Sequence, residues 1–185
     1  MPNNLSLGLH KDKVSLVDYC PDWTQAFEQE KKNLQKILGN AALAIEHVGS
    51  TSIPGLSAKP ILDVAVAVKN VKTLVKVMPI LANAGYDILD SIEKCGEVLA
   101  RKGPPECRTH YIHVEVMDSI YWKNHIVFRD YLLKHPAYIE QYETLKKNIA
   151  KQFKEDRKKY TAAKDEFIRS VLKAAEIDNQ TSLTL

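Results

Sequence analysis

Cysteine is scarce: Cys20, Cys95 and Cys107 are the only three among 185 residues. An odd number without paired spacing excludes a secreted disulfide framework and points to reduced thiols in packing roles. Glycine and proline, at seven and eight residues, are too sparse for a collagen-like or low-complexity chain, and no internal repeat occurs. Long apolar runs are missing as well: none approaches the roughly 20 residues that span a bilayer. The polar stretch Met1 to Lys13 lacks the apolar segment of a signal peptide. A cytoplasmic protein without a membrane partner is expected. What is present is ordinary, with 45% hydrophobic and 26% charged residues, enough for one self-sufficient core. The expectation is a single domain over residues 1–185, with a sheet-containing core at 14–117 and C-terminal helices at 119–177.

Charge says more by position than in total. The formal +3 hides a segment from Thr144 to Lys173 with ten Lys or Arg against four Asp or Glu, so that segment is +6 and the remainder −3. Such a basic helical tail suits RNA or an acidic partner. The interspersed acids favour a plain solvated helix face instead.

Alternation predicts strands at Val14–Tyr19, Leu43–Val48, Ile61–Val68, Tyr86–Ile92, Glu97–Arg101 and Thr109–Met117. Ile61–Val68 is apolar on both faces and belongs in a sheet interior. Helical periodicity predicts a helix from Pro21-Asp22 to about Leu38, ended by Gly39-Asn40. A second covers Val71–Ala84, either kinked or split at Pro79. From Ser119 the pattern stays helical to His135-Pro136, and two longer amphipathic helices follow to about Ile177, with frayed residues beyond. Mixed elements first and helices last give an α+β fold: a small mixed sheet with helices packed on it and a helical C-terminal layer.

Chemistry concentrates in Glu46-His47-Val48-Gly49-Ser50-Thr51-Ser52 and in Lys59-Pro60-Ile61-Leu62-Asp63. Gly49 admits close approach of a ligand to the backbone, and the hydroxyls of Ser50, Thr51 and Ser52 with nearby amides suit phosphate oxygens. The same turn also serves simply to join two strands. An aspartate inside an apolar strand is more informative. Burying Asp63 unpaired would cost about 3–5 kcal/mol, so it needs a partner, either Lys59 or a metal such as Mg²⁺ or Mn²⁺ bridging phosphates.

Gly49-Ser50, twelve intervening residues, then Asp63 resembles the signature of the nucleotidyltransferase superfamily related to DNA polymerase beta. The chain more closely resembles the GrpB family within it, through Glu46-His47-Val48-Gly49-Ser50-Thr51, Pro54-Gly55-Leu56, Lys59-Pro60-Ile61-Leu62-Asp63, Arg108-Thr109-His110, His113-Val114 and Phe128-Arg129-Asp130-Tyr131-Leu132. Tyr142, Leu145-Lys146, Tyr160, Lys164 and Phe167-Ile168 extend the match into the tail. The resemblance implies a nucleotidyltransferase-type sheet with Gly49, Ser50 and Asp63 at a nucleotide and metal site. In that superfamily a second carboxylate usually stands two positions after the first, so that two metals serve in-line phosphoryl transfer. Here that position is Ala65, which puts two-metal catalysis in doubt.

Alternation puts Tyr111, His113 and Glu115 on one strand face and His110, Ile112 and Val114 on the other. Glu115 would stand at the superfamily's third carboxylate and serve as a metal ligand with Asp63, and His113 would be a ligand or general base. Both also suit a merely solvated sheet face. Cys107, His110 and His113 recur every third residue, but alternation separates the histidines and no fourth ligand follows, so structural zinc is not expected there. Glu46 and His47 orient the turn or cap a strand. Arg101, Arg108 and Arg129 are either phosphate forks or ion-pair partners.

Three functions compete. One is transfer of a nucleotidyl group from a nucleoside triphosphate to an acceptor, with Asp63, His113 and Glu115 as catalytic residues and Gly49, Ser50, Thr51, Ser52, Lys59, Arg108 and Arg129 as nucleotide contacts. The second is a noncatalytic nucleotide- or RNA-binding module, favoured by Ala65. The third is an accessory or interaction domain linked to coenzyme A metabolism, since relatives occur fused to dephospho-CoA kinase. The chain itself lacks that kinase's GxxxxGK[ST] loop.

Overall fold

The computed structural model describes residues 7–89 and 97–182. Five strands, β1 (Ala44–Val48), β2 (Leu62–Val68), β3 (Asp87–Leu89), β4 (Glu97–Lys102) and β5 (His110–Val116), form one sheet in the order β1-β2-β5-β4-β3. Only β2 and β5 run parallel; the other neighbours are antiparallel, so the sheet is mixed. The apolar run of β2 lies between β1 and β5, as its burial on both faces requires.

Helices α1 (Asp22–Leu38) and α2 (Val71–Asn83) cover one face, where Trp23, Phe27, Leu34, Leu74, Val77 and Leu81 meet Leu62, Val64, Val66, Ile112 and Val114. The opposite face is covered by α3 (Ile120–Lys134), whose Trp122 packs with Val48, Ala65 and Ala67. Three more helices, α4 (Pro136–Gln152), α5 (Arg157–Ala162) and α6 (Asp165–Ser182), build the C-terminal layer. Its second core joins Phe128, Leu132, Tyr142 and Val171 to Ile53 and Leu56 from the loop after β1. The architecture is α+β, as expected.

Several boundaries differ from expectation. Val14–Tyr19 is not a strand: Val17 makes an isolated bridge to Ala58, and the Val14 amide bonds the Lys154 carbonyl. The backbone there is shared between two partners instead of continuing one ladder. Pro79 neither splits nor ends α2, because it lies on the exposed side beyond exposed Val75, whose carbonyl loses only one helical bond. Past His135 there are three helices instead of two, since Asp156 caps a new start by accepting from the Lys159 amide at 3.0 Å. Helix α6 continues through Asp178 to Ser182 where fraying was expected. The Tyr86–Ile92 strand is seen as β3, paired with β4, and its last three residues lie outside the described ones. Cys95 also lies outside them; Cys20 and Cys107 are free thiols.

Candidate functional site

Register fixes what Asp63 meets. In β2 it stands opposite Val48 of β1 and Tyr111 of β5, so it points to the α3 face while Leu62 and Val64 point to α1 and α2. Gly49 follows Val48 directly, with φ of +69° and ψ of −169°, a conformation essentially reserved for glycine. Space demands glycine too: a methyl there would lie 2.5 Å from Asp63 Oδ2 and 2.9 Å from its Cβ. Turn and carboxylate are thus packed against each other.

The hydroxyls of the turn have separate partners. Ser52 donates to the Gly49 carbonyl at 2.7 Å, and buried Thr51 pairs through Oγ1 with His47 Nε2 at 3.0 Å. His47 stacks on Phe27, and burial lowers its pKa to about 4, so it is a neutral prop for the turn. Ser50 lies beside the Tyr142 hydroxyl. Glu46 is held at 2.8 Å by Arg129 of α3, which also donates to the His47 carbonyl at 2.9 Å and to Asp130 at 2.8 Å. Arg129 therefore ties α3 to β1. Arg108 is further from the Asp63 turn in role: it is 4% exposed and donates to the Gly103 carbonyl and to Asp87, which Arg101 also engages. Both arginines are ion-pair partners at the β3–β4 end.

Asp63 faces His113, whose Nε2 is 3.6 Å from Oδ1, while His113 Nδ1 is 3.0 Å from Glu97. Burial opposes charge on both groups. It is outweighed by their mutual attraction and by Glu97, which raise His113 to about 10, and by His113, Lys59 and Lys164, which hold Asp63 below its usual range. His113 is an imidazolium at neutral pH. Glu115 shares the Asp63 face but lies four residues along β5 from Tyr111, the Asp63 partner, about 13 Å of strand. It meets His125 of α3 instead, at 2.8 Å. His113 stands between the two carboxylates that were expected to share metal. Ala65 is fully buried under Trp122, so β2 contributes a single acid.

The sheet supplies the acid, and the loop before β2 and the C-terminal layer supply cations. Lys59, half-buried, has its pKa lowered to about 7 by burial and by repulsion from Lys164 and Arg157. Lys164 is lowered by burial and Arg157 in spite of Asp63. The Lys59 and Lys164 ammonium groups lie 5.3 and 4.9 Å from the Tyr160 ring, and the Arg157 guanidinium 4.8 Å from the Tyr111 ring. Lys146, 1% exposed, donates to the Ser57 carbonyl behind them. The basic tail is thus not simply a solvated face: several of its cations turn inward. The sequence marks Arg157 only as tail charge, and Lys146 and Lys164 as tail charge and family matches; it does not show their direction, which α4, α5 and α6 set by folding back. Sequence reading also missed His125, although Trp122, His125, Ile126 and Arg129 have the spacing of one helix face.

The GrpB protein family model matches residues 13–174. The chain belongs to the GrpB family. Among its relatives, the glutamate-rich protein GrpB of Alkalihalophilus pseudofirmus is 38% identical, over 90% of this chain and 98% of that one. The crystal structure of GrpB from Enterococcus faecalis superposes with a TM-score of 0.81 at 35% identity, covering 90% of this chain and 99% of that one. A dephospho-CoA kinase of Mycolicibacterium paratuberculosis is 32% identical over 43% of this chain and 20% of its own length. A fainter likeness, with TM-score 0.41 and 10% identity over 66% of this chain and 44% of the other, is to the Cid1 poly(U) polymerase. No helix among the described residues is long and apolar enough to cross a membrane.

Proposed function

We propose that this GrpB protein binds a nucleoside triphosphate on the Asp63 face, with its phosphates between the Gly49-Ser50 turn and Lys59, Arg157 and Lys164. The gathering of Lys59 and Lys164 around Asp63, with Arg157 over the neighbouring Tyr111 ring, carries the reading. Lys59 and Lys164 are lowered by burial and by the neighbouring Arg157; such a group is short of negative charge, and a polyphosphate is the ligand that supplies it. A divalent ion suits the same place. Asp63 is ionised, its side chain is 35% exposed, and one carboxylate with ligand phosphates and water is an ordinary Mg²⁺ donor set. Mg²⁺ or Mn²⁺ would arrive with the nucleotide and neutralise its phosphates.

Nucleotidyl transfer, in which an acceptor oxygen displaces pyrophosphate from the α-phosphorus, is the activity such a site would serve. In that role His113 is a positive charge beside Asp63 and not a general base, since its proton is held to about pH 10. The noncatalytic reading has one specific support: buried Ala65 where a second metal-binding acid would stand. A role in coenzyme A chemistry draws on the partial match to dephospho-CoA kinase, and it uses the same phosphate contacts.

Thermal shift and calorimetry with each nucleoside triphosphate, dephospho-CoA and short RNA, with and without Mg²⁺ or Mn²⁺, test the proposal on wild type, Asp63→Asn and Lys164→Ala. A metal-dependent shift with triphosphates, lost in Asp63→Asn and weakened about tenfold or more in Lys164→Ala, is the expected result. Absence of any triphosphate shift overturns it. Binding without turnover of labelled triphosphate across acceptors selects the noncatalytic form.

A further inference from the structure

Glu115 is the least explained polar group of the fold. It is completely buried, and among the described residues neither carboxylate oxygen has a hydrogen-bond partner. Its near neighbour is His125 Nδ1, 2.8 Å from Oε1, and that nitrogen also lacks hydrogen-bond geometry to any acceptor or donor. His113 completes the group: its ring is 4.7 Å from that of His125, and one donor atom from each of the three residues lies within 4.8 Å of the others. An unpaired buried carboxylate is costly unless a cation is present. Among the described residues no lysine or arginine pairs with Glu115, and the His113 imidazolium is engaged by Asp63 and Glu97 instead.

We infer that His113, Glu115 and His125 form a site for a divalent transition-metal ion such as zinc, separate from Asp63. Two imidazoles and one carboxylate are borderline donors that prefer zinc and its neighbours to magnesium. Two ligands at about 2.1 Å from one ion are at most about 4.2 Å apart, so a pair at the 4.8 Å limit must close by several tenths of an ångström to share an ion. The His113 ring has a carboxylate at both nitrogens, Asp63 at 3.6 Å and Glu97 at 3.0 Å. Whichever nitrogen binds the ion, the other keeps an acidic partner of the kind that orients metal-bound histidine. Access is from the rim, where the His113 and His125 side chains are 17% and 32% exposed. Metal binding releases the His113 proton. The ion thereby replaces one positive charge with two beside Asp63 and Glu97.

The test uses untagged protein stripped with chelator and titrated with Zn²⁺ or Co²⁺ alone, without nucleotide, by calorimetry, metal analysis and visible absorption. One equivalent of Co²⁺ with ligand-field bands, displaced by Zn²⁺, is expected for wild type and for Asp63→Asn. In His125→Ala the affinity should fall at least about 100-fold. Glu115→Gln separates metal loss from misfolding: metal-free, it should melt no lower than wild type, and it should gain no stability from Zn²⁺. Failure of wild type to bind, or binding unchanged in His125→Ala, overturns the site. Loss of Co²⁺ in Asp63→Asn beyond the about 10–100-fold weakening that removal of an orienting carboxylate brings overturns the ligand assignment. Because nucleotide is absent throughout, none of these outcomes bears on triphosphate binding.

Discussion

Replacing Gly49 by alanine tests the packing of the turn against Asp63. Two independent penalties arise at this position. The backbone angles, φ +69° and ψ −169°, put a side chain in a region that costs about 1–3 kcal/mol. The added methyl would also meet Asp63 Oδ2 at 2.5 Å, Cβ at 2.9 Å and Cγ at 3.0 Å. The oxygen can swing away, but Cβ is anchored to β2, so the turn itself must shift, at about 1–2 kcal/mol for overpacking. Together the loss is about 2–5 kcal/mol, or a fall in Tm of about 4–20 °C for a chain of this size. Gly55→Ala is the internal control: its φ is +80°, yet a methyl there meets nothing within 4 Å. It should show the backbone penalty alone. Urea unfolding of both variants measures the difference. Displaced Asp63 also supports the His113 proton less well, so the imidazole of Gly49→Ala should titrate at lower pH by NMR. Equal losses at the two glycines, with His113 unchanged, would refute the proposed contact.

Further outcomes follow from charge. His113 titrates at about 10 in the fold against an ordinary 6.5, so its stabilisation is complete below pH 6.5 and fades as pH rises through about 10. His113→Gln should flatten that part of the stability profile measured by denaturant titration. Lys59, ordinarily at 10.5, is lowered to about 7; above that pH a bound polyanion must draw a proton onto it. Affinity for inorganic triphosphate should therefore fall about tenfold per pH unit above pH 7, with less slope in Lys59→Arg, by calorimetry in buffers of different ionisation heat. Arg129→Met removes contacts to Glu46, Asp130 and the His47 carbonyl. With Glu46 and Asp130 partly exposed, a loss of about 2 kcal/mol is expected, together with weaker triphosphate binding as the turn loosens.

Much of this was open to sequence reading because its causes are local. Alternation placed Asp63 inside an apolar strand and put Tyr111, His113 and Glu115 on one face, since side-chain direction in a strand follows from the pleat. Gly49 and Ala65 were visible as residue types, but Gly49 was read as room for a ligand, whereas the group pressed against it is the Asp63 side chain. The family resemblance rested on ordered motifs, and the family model and the Enterococcus structure bear it out. What depended on strand order and on helices returning from distant sequence was not visible. His113 meets Asp63 because β5 pairs in parallel with β2, a pairing across almost fifty residues that no local pattern encodes. Glu115 meets His125 because α3 crosses that same face. The basic tail read as uniform charge, yet Arg157 and Lys164 converge on the Asp63 side while Lys146 is buried behind them. Residue chemistry and its facing belonged to the sequence; which charges became neighbours, and hence their protonation, belonged to tertiary packing, because electrostatic coupling depends on distance through space and on burial.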